Sequence, residues 1–315
     1  MNITPTLSFI TVSYNGAKDT LCLIESILSV IKSVSYEILV VDNASKKQDC
    51  QTLKEGIDSL PNNSDIIFIQ SKTNLGFAGG NNLGIDKAQG KYLFFVNNDT
   101  YFTSDNISEL ISVLDKDNMN GGVSPKILFP KELSANSFSD TILFEGFTPL
   151  SKITLRNKVI NYGYQDSPDK NKETQNANKE RLTPYLHGAA MMLKRQVIEK
   201  VGKMPECFFL YYEELDWSLA IRKEGFKLYY CPLCTIYHNE SQSTGKNSPM
   251  QTFYQTRNRL LLAKRNLRGM EKPLSIAYQI FVAGTIHYLQ YLVRGNTKNA
   301  NAVIKGIISF INYKN

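Results

Sequence analysis

LSFITVSYNG, residues 7–16, is a largely apolar run that stops at a small polar turn. Three similar runs follow in the first third of the chain, and stretches with helical periodicity separate them. The predicted strands are Leu7–Val12, Glu37–Val41, Ile66–Ile69 and Tyr92–Val96, and the predicted helices are Lys18–Ile31, Gln51–Leu60 and Gly80–Ala88. This alternation predicts an α/β fold with a mostly parallel sheet that is flanked by helices on both faces.

Small polar side chains follow three of the predicted strands. They are Ser13-Tyr14-Asn15 after the first strand, Asp42-Asn43 after the second, and Asn97-Asn98-Asp99 after the fourth. Parallel strands bring their carboxyl ends to one edge of the sheet, where such folds bind ligands. An Asp at this edge can accept a hydrogen bond from a pyrimidine N–H, and a second Asp can hold a divalent cation on a diphosphate. Each group taken singly is more often a helix cap or a turn former, but their recurrence at one edge favours a nucleotide site.

A glycine-rich turn precedes the fourth predicted strand. It reads N-L-G-F-A-G-G-N-N over residues 74–82. Its backbone amides can approach a nucleotide sugar closely, because glycine has no side chain to keep a ligand away. The spacing differs from the G-x-G-x-x-G dinucleotide fingerprint, which also belongs after the first strand rather than here.

The motifs V-S-Y-N, V-V-D-N-A-S, N-L-G-F-A-G-G-N-N and N-N-D-T, in this order, resemble the nucleotide-binding half of the family 2 glycosyltransferases, which have the GT-A fold. The resemblance implies a UDP- or dTDP-sugar donor and a Mg²⁺ or Mn²⁺ cofactor. It places Asp42 at the base and Asp99 on the metal. Asn97 replaces the first Asp of the family's usual D-x-D, which bears on the tightness of metal binding more than on its presence. The donor side is predicted to include Ser13, Tyr14, Asn15, Asn43, Asn74, Gly76, Phe77, Asn81, Asn97 and Asn98.

The second half of the chain continues the resemblance. The motifs H-G-A-A-M at 187–191, F-F-L-Y-Y-E-E-L-D-W at 208–217, His238 and Y-Q-T-R-N at 254–258 are similar to acceptor-side motifs of the bacterial polysaccharide branch, which includes rhamnosyltransferases. The matches span roughly residues 7–265. They imply inverting transfer of rhamnose or another hexose to a lipid-linked saccharide acceptor of O-antigen or capsule type.

Such transfer needs a general base, because the acceptor hydroxyl loses its proton as it attacks the anomeric carbon. By motif position this base is Glu214. The family usually has Glu-Asp here, whereas this chain has Glu213-Glu214, and the extra methylene moves the carboxylate. Glu213 and Asp216 therefore stay as rivals. Acids in the first turn of a helix are also favoured by the helix dipole alone.

Two further residues take roles from the resemblance. His238 follows an apolar run and is implied as a metal ligand beside Asp99, and a neutral imidazole suits manganese. Arg257 can stabilise the departing diphosphate, although an arginine on a basic helix is usually solvated or faces lipid.

The basic character of the chain belongs to its C-terminal part. The formal charge is +7, and from Pro249 onward ten Lys and Arg accompany the single acid Glu271. The chain lacks the aromatic-glycine signature of an RNA-binding sheet and the pattern of a helix-turn-helix, so we expect no nucleic acid partner. An anionic membrane surface is the better prediction.

These observations divide the chain into two regions. Residues 1–248 are predicted as the catalytic domain, with a nucleotide-binding half at about 1–125, an acceptor-binding half at about 126–248, and a polar mobile loop at 161–184. Residues 249–315 are predicted as a basic amphipathic helical extension. The apolar stretch Ile276–Val293 barely reaches spanning length. A helix pair in the membrane interface and a helix pair packed on the domain both remain open.

The five cysteines are an odd number, and no signal peptide precedes them. This favours a cytoplasmic protein, and together with the basic extension it predicts a peripheral position on the cytoplasmic face of the bacterial inner membrane. Cys231 and Cys234 stand alone as a C-x-x-C pair, which favours buried thiols over a metal site.

Two other function classes share parts of this sequence pattern. Sugar nucleotidyltransferases share the nucleotide-binding layout, but they carry a G-x-G-T-R-like signature that residues 14–18, Y-N-G-A-K, lack. A catalytically inactive nucleotide-sugar-binding module of a polysaccharide assembly complex stays open, because Asn97 and Glu214 both depart from the family's usual acids.

Overall fold

The computed structural model describes residues 4–130, 141–166, 179–239 and 248–313. Its strands and helices alternate through the first third, as the sequence predicts. The strands are β1 Leu7–Ser13, β2 Tyr36–Asp42, β3 Ile66–Gln70, β4 Tyr92–Val96, β5 Thr100–Tyr101, β6 Asn120–Leu128, β7 Ile142–Phe144, β8 Arg181–Leu182, β9 Ala190–Lys194 and β10 Lys227–His238. The helices are α1 Ala17–Val30, α2 Lys47–Ser59, α3 Gly76–Lys87, α4 Ile107–Asp115, α5 Arg195–Val201, α6 Glu213–Lys223, α7 Pro249–Asn266, α8 Glu271–Ala277, α9 Thr285–Val293 and α10 Thr297–Ile311.

One sheet carries the whole domain, in the order β3-β2-β1-β4-β9-β6-β10-β5, with β7 beside β6 and β8 beside β10. The first four strands of this order are parallel, as predicted. Strand β9 then runs antiparallel to both β4 and β6, so the acceptor side is a mixed sheet. The α/β fold class is therefore confirmed, and the parallel arrangement is concentrated in the nucleotide-binding half.

Alternate side chains of the buried strands point to opposite faces of the sheet, which gives two cores. Phe9 packs with residues of α1, α2 and α4, whereas its neighbour Ile10 packs with residues of α3, α5 and α6. Both side chains are fully buried. Burying an aliphatic or aromatic side chain of this size contributes about 1.5–3 kcal/mol, so helices cover both faces and leave the sheet edges to carry polar groups.

Two details of the acceptor side differ from what the sequence predicts. Apolar runs there predict three strands, at Leu186–Leu193, Phe226–Tyr230 and Thr235–Tyr237. The last two runs form one strand, β10, with a bulge between Cys231 and Thr235. Pro232, which lies in the bulge, has no N–H to donate to a neighbouring strand, so the irregularity falls there without ending the strand. The predicted strand Leu186–Leu193 begins later, at Ala190.

The described ends of the polar stretch 161–184 are held in place. Lys126 Nζ lies 2.9 Å from Asp166 Oδ2, and β8 pairs with β10 through Arg181 and Leu182. Residues 167–178 lie outside the described residues, so the mobility of this stretch stays a prediction.

The C-terminal helices begin with a capped helix that belongs to the domain core. The Ser248 hydroxyl accepts a hydrogen bond from the Gln251 N–H, and Pro249 stands in the first turn, where its missing N–H costs nothing. Leu260, Leu261 and Leu262 of α7 are fully buried. Helix α10 crosses α7 at Gly306, where an added Cβ would lie 2.9 Å from the Phe253 carbonyl oxygen. Helix α7 therefore packs on the preceding part of the chain and α10 packs on α7, while the division of the chain at residue 249 stays a prediction.

Helices α8 and α9 are joined by a π-helical segment, Tyr278–Gly284, into one continuous rod. Several large apolar side chains on this rod and its start are exposed: Met270, Leu274, Phe281, Val282, Ile286, Leu289, Leu292 and Val293. No helix in the described ranges combines the length and the apolar character needed to cross a membrane.

Candidate active site

Three polar strand ends meet at one edge of the sheet. Ser13 at the end of β1 lies in register with Asp42 at the end of β2, and Asp42 lies in register with Gln70 at the end of β3. Strand β4 is the other neighbour of β1, so the turn after Val96 comes to the same edge. The juxtaposition predicted from the sequence is present.

Asp42 is a buried carboxyl group at this edge. It is fully buried, and neither of its oxygens meets an N–H or O–H donor at hydrogen-bond distance among the residues that the structure describes. The Cys50 thiol lies beside it as a weak donor, and burial, followed by the charge and the hydrogen bond of the Asp42 carboxylate, raises the pKa of that thiol. A buried polar group without a partner is costly. Asp42 is therefore set up to accept a hydrogen bond from an N–H group of a ligand.

Asn43 fixes the glycine-rich turn. Its Nδ2 donates to Asn74 Oδ1 at 3.1 Å and to the Gly76 carbonyl at 3.0 Å, and its Oδ1 accepts from the Leu75 N–H. Gly76 has φ +74°, and an added Cβ would lie 2.1 Å from the Phe209 carbonyl oxygen. Only glycine fits this position, so Asn43, Asn74 and Gly76 act on each other to shape the turn.

The other residues predicted at the donor side also hold the loops. The Ser13 hydroxyl accepts from Thr20, Asn15 Oδ1 accepts from the Lys46 N–H, and Asn98 Nδ2 donates to Thr20. Asn81 Nδ2 donates to the Phe77 carbonyl, and the Asn97 N–H donates to the Ala189 carbonyl. Tyr14 differs from these residues, because its side chain is exposed. Most of these side chains therefore form hydrogen bonds that fix the conformation of the loops at this edge of the sheet.

Asp99 and His238 are brought together by the pairing of β5 with β10. His238 lies opposite Thr100, and His238 Nε2 is 3.0 Å from Asp99 Oδ1. Both side chains are almost buried, and His238 Nδ1 has no hydrogen-bond partner within the described ranges. A carboxylate oxygen and an imidazole nitrogen that face one another suit a divalent cation such as Mn²⁺.

A metal at this pair would need further oxygens from a ligand or water. In the part of the chain that the structure describes, no third His, Cys, Asp or Glu joins the pair in a metal-binding group. Asp19, near the start of α1, is close enough for the Asp99 carboxylate to act on it: burial and then this charge raise the pKa of Asp19. The sequence analysis did not single out Asp19, because only tertiary contact brings it near Asp99.

Glu213 and Glu214 begin α6 at the opposite side of this edge. Burial, and then the charge of Glu214, raises the pKa of Glu213 well above its usual range. Burial raises the pKa of Glu214 to about 7. Gly188 adjoins Glu214, because a Cβ built on it would lie 3.6 Å from Glu214 Cγ. The next residue, Ala189, accepts the N–H of Asn97, so Glu214 lies beside the turn that carries Asp99.

Asp216 is held in a buried ion pair. Both of its oxygens accept from Arg265 Nε, at 3.0 and 3.2 Å, and Oδ2 also accepts from Arg265 Nη2 at 2.9 Å. Asn266 Nδ2 donates to Oδ1 at 2.6 Å. These contacts join α6 to α7. They also make Asp216 a poor base, because each oxygen already accepts hydrogen bonds from a cation or an amide.

Arg257 is bonded to backbone carbonyls. Its Nη2 donates to the carbonyls of Cys207 and Phe208 at 2.9 and 2.7 Å, and its Nε donates to Asn258 Oδ1. Its guanidinium lies 5.1 Å from the Tyr254 ring centroid. Arg257 therefore lies beside the segment that precedes Glu213 and Glu214, and its hydrogen bonds to the backbone stabilise that segment.

His187 lies between two phenylalanine rings near His238. Its ring is stacked on Phe147, with centroids 5.9 Å apart, and tilted against Phe144. The Ala189 N–H donates to Nδ1, which puts the proton of the neutral ring on Nε2. Burial, and then the charge of His238, lowers the pKa of His187 to about 3. His187 is therefore a neutral Nε2–H donor at the acceptor side of the edge.

The model of the family described as "Glycosyl transferase family 2" matches residues 8–202. This chain belongs to glycosyl transferase family 2. The glycosyltransferase is 28% identical over 262 residues to "Low-salt glycan biosynthesis hexosyltransferase Agl10" of Haloferax volcanii, with 81% of this chain and 74% of the relative covered. It is 24% identical over 289 residues to "dTDP-rhamnosyl transferase RfbF" of Shigella flexneri, with 88% and 84% covered.

The fold of this glycosyltransferase is similar to that of solved glycosyltransferases. The crystal structure of GalNAc-T7 with UDP, GalNAc and Mn²⁺ superimposes with a TM-score of 0.61 at 14% sequence identity. The alignment covers 91% of this chain, which spans 58% of that enzyme's chain. The GT-A fold and the glycosyltransferase class expected from the motifs are confirmed.

Proposed function

We propose that this glycosyltransferase moves rhamnose or another hexose from a UDP- or dTDP-sugar to a lipid-linked saccharide acceptor, with inversion at the anomeric carbon. The observation that carries the proposal is the meeting of three groups at one sheet edge. These are the unpartnered buried carboxyl of Asp42, the Asp99–His238 pair, and Glu214 with its raised pKa. The name of the Shigella relative, a dTDP-rhamnosyl transferase, supports the donor class.

The buried carboxyl of Asp42 gives the donor its base contact. It accepts the ring N–H of uracil or thymine, which satisfies an oxygen that has no partner within the described residues. Asn43, the residue after Asp42, holds the glycine-rich turn at Gly76. This turn would present its backbone amides to the sugar diphosphate of the donor. Uracil and thymine present the same N–H, so Asp42 selects a pyrimidine of this type and not the sugar.

Asp99 and His238 would hold Mg²⁺ or Mn²⁺, which supplies positive charge to the diphosphate as it leaves. Their atoms face each other at 3.0 Å, from the turn just before β5 and from the end of β10, which pair in the sheet. The donor set of one carboxylate and one imidazole fits such an ion when diphosphate oxygens and water complete its shell. Asn97 contributes its backbone N–H to Ala189 and so fixes the turn on which Asp99 stands.

Glu214 is proposed as the general base. As the acceptor oxygen bonds to the anomeric carbon, its proton passes to the Glu214 carboxylate, and the bond from that carbon to the diphosphate oxygen breaks. The nucleoside diphosphate leaves with the bonding electrons, and attack from the face opposite it inverts the carbon. A pKa near 7 keeps Glu214 both available as a carboxylate and basic enough to take a proton. Glu213 is more buried and Asp216 is occupied by Arg265, so neither replaces it.

The exposed apolar side of the π-helical segment and α9 supports a peripheral position on an anionic membrane, which we propose to be at its cytoplasmic face. Phe281, Val282, Ile286, Leu289 and Val293, which we call the outer stripe, recur at helical spacing. The same C-terminal region carries the excess of Lys and Arg. Apolar side chains flanked by basic ones are typical of helices in a lipid interface, where a lipid-linked acceptor would also be found.

A flotation assay tests this surface. We expect full-length protein to bind vesicles that contain phosphatidylglycerol and to bind phosphatidylcholine vesicles weakly. Phe281→Asp with Ile286→Asp should abolish binding, whereas the exposed Tyr164→Asp should not. Equal binding of the double variant and the unchanged protein would refute the stripe as a membrane contact.

Calorimetric titration with a panel of UDP- and dTDP-sugars in the presence of Mn²⁺ tests the function itself. We expect one donor to bind in the micromolar range and to lose affinity in Asp99→Ala. Asp117→Ala, which changes an exposed aspartate at the opposite end of the sheet, is the matched control and should bind as the unchanged protein does. A folded protein that binds no donor would refute the nucleotide-sugar site, whereas donor binding without sugar transfer would favour an inactive nucleotide-sugar-binding module. Proton NMR of the product then reports whether the anomeric configuration is inverted.

A further inference from the structure

The segment Phe208–Tyr212, which we call the base loop, is strained. Phe209, Tyr211 and Tyr212 have φ values of 66°, 69° and 78°. Large residues without a glycine's freedom reach this region at a cost of about 1–3 kcal/mol each. Tyr212 immediately precedes Glu213 and Glu214 in α6. Contacts from elsewhere in the fold must therefore hold the base loop in this shape.

Asn258 of α7 makes these contacts. Its side chain is fully buried, and Nδ2 lies 2.9, 2.7 and 2.9 Å from the carbonyl oxygens of Phe208, Leu210 and Tyr211. Its Oδ1 accepts from Arg257 Nε, and Arg257 donates in turn to Cys207 and Phe208. One amide therefore gathers three carbonyls of the base loop, and the loop bends tightly around it.

The base loop is also fixed from its other side. The Phe209 carbonyl accepts from the Phe77 N–H at 2.7 Å, and its ring is stacked on Tyr254 with centroids 5.1 Å apart. The loop lies between the glycine-rich turn and α7, so it cannot relax toward either one. If the amide of Asn258 is lost, the carbonyls of Leu210 and Tyr211 lose this donor, whereas that of Phe208 keeps Arg257. The strained residues are then less firmly held and can return toward ordinary φ values. The start of α6 would then shift, and Glu214 with it.

We propose that Asn258 is a positioning residue that acts through Glu214, by holding the base loop so that this carboxyl faces the acceptor hydroxyl. The inference rests on the proposed role of Glu214 as the base. Among the described residues, the side-chain hydrogen bonds of Asn258 go to the base loop and Arg257, so we do not assign it a catalytic role. Displacing a catalytic group by about 1 Å can cost about 10²-fold in rate, which sets the size of the expected effect.

The experiment compares Asn258→Ala, which has no donor, with Asn258→Ser, which keeps one. We expect kcat to fall about 10²-fold in Asn258→Ala, and less in Asn258→Ser, while calorimetry shows unchanged donor affinity. Asn120→Ser is the matched control: Asn120 is a buried asparagine that donates to the Val113 carbonyl at the far end of the sheet. It should lose stability without losing kcat. Thermal denaturation of all variants separates folding from catalysis.

The decisive arm repeats Asn258→Ala in a Glu214→Gln background. Because Asn258 acts through Glu214, the double variant should be no slower than Glu214→Gln alone. An equal further fall in the double variant would overturn the inference, as would kcat values that follow stability alone. Failure of both Asn258 variants to fold would make Asn258 a requirement for folding and also overturn it. An unchanged protein that transfers no sugar would instead refute the proposed function, so the two failures are distinguishable.

Discussion

The donor side and the base side of the site are built in different ways. At the donor side, Asp42 ends β2 within a parallel sheet whose register is set by hydrogen bonds between neighbouring strands. At the base side, Glu214 follows a loop with three residues at positive φ. Asn258, which lies 44 positions beyond Glu214, donates to three carbonyl groups of this loop. The geometry of the donor side therefore depends on local sequence and on strand pairing. The geometry of the base side depends on the long-range hydrogen bonds of Asn258 to the base loop.

The difference predicts that the two sides respond differently to substitution. Changes at the sheet edge should alter donor affinity and leave the fold intact, because the strands are fixed by two buried cores. Changes at the base side should alter turnover, stability or both. The reason is that α7 contacts this side twice, through the Arg265–Asp216 ion pair with α6 and through the hydrogen bonds of Asn258 to the base loop.

The largest expected effect is at Glu214. Glu214→Gln keeps the side chain's size and removes the proton acceptor, so we expect kcat to fall about 10²- to 10⁴-fold with unchanged donor affinity. In the unchanged protein, kcat/KM should rise with pH through about 7, the pKa to which burial raises Glu214. A variant with wild-type turnover would show that the base lies elsewhere. Steady-state kinetics over a pH series measures both.

Asp216 should separate stability from catalysis on the same helix. Asp216→Asn removes the charge that Arg265 and Asn266 bind, and hydrogen bonds to charged groups contribute about 1.5–3 kcal/mol. We expect the free energy of unfolding in urea to fall by about 2 kcal/mol, while kcat of the folded protein changes little. A drop in kcat as large as that of Glu214→Gln would restore Asp216 as a rival base.

Asp42 should show the opposite pattern. Asp42→Asn keeps the shape but replaces one acceptor oxygen by a donor amide, so we expect the donor Kd to rise about 10- to 100-fold, from a loss of about 1–3 kcal/mol. The free protein should gain stability, because a buried carboxyl without a partner among the described residues is removed. Calorimetry and urea denaturation measure the two changes. A variant that binds the donor normally would remove Asp42 from the base contact.

The smallest expected effect is the pH dependence of stability at the acid pair. The pKa of Glu213 is raised in the folded protein, so between the ordinary pKa and the raised one the folded state binds more protons than the unfolded state. Stability therefore falls as pH rises through this window. Glu213→Gln should lose less stability between about pH 5 and about pH 8, because it has no carboxyl group to lose a proton in this window. Parallel denaturation curves at the two pH values would contradict this.

The success of the sequence analysis follows the same division. The strands Leu7–Val12 and Tyr92–Val96, the polar ends that carry Asp42 and Asp99, and the family were all predicted from local patterns. The residue roles at the site remain predictions. That β10 continues through a bulge could not be predicted, because the residues around Pro232 show no alternation of apolar and polar side chains. Asp19 was missed because its position in the sequence, in the first turn of a helix, gives no sign that Asp99 is near it.

The sequence by itself determined the α/β class, the edge at which the polar strand ends meet and the glycosyltransferase family, because apolar periodicity and polar strand ends are local properties of the chain. Only the tertiary structure shows that the acids of α6 have different surroundings, and it is on these surroundings that the proposal of Glu214 as the base rests. Three carboxyl groups in four positions look alike in a sequence, and their chemistry is set by what surrounds them. Arg265 occupies Asp216, burial isolates Glu213, and Gly188 leaves room beside Glu214. These partners come from distant segments, so folding alone determines which carboxyl can take a proton.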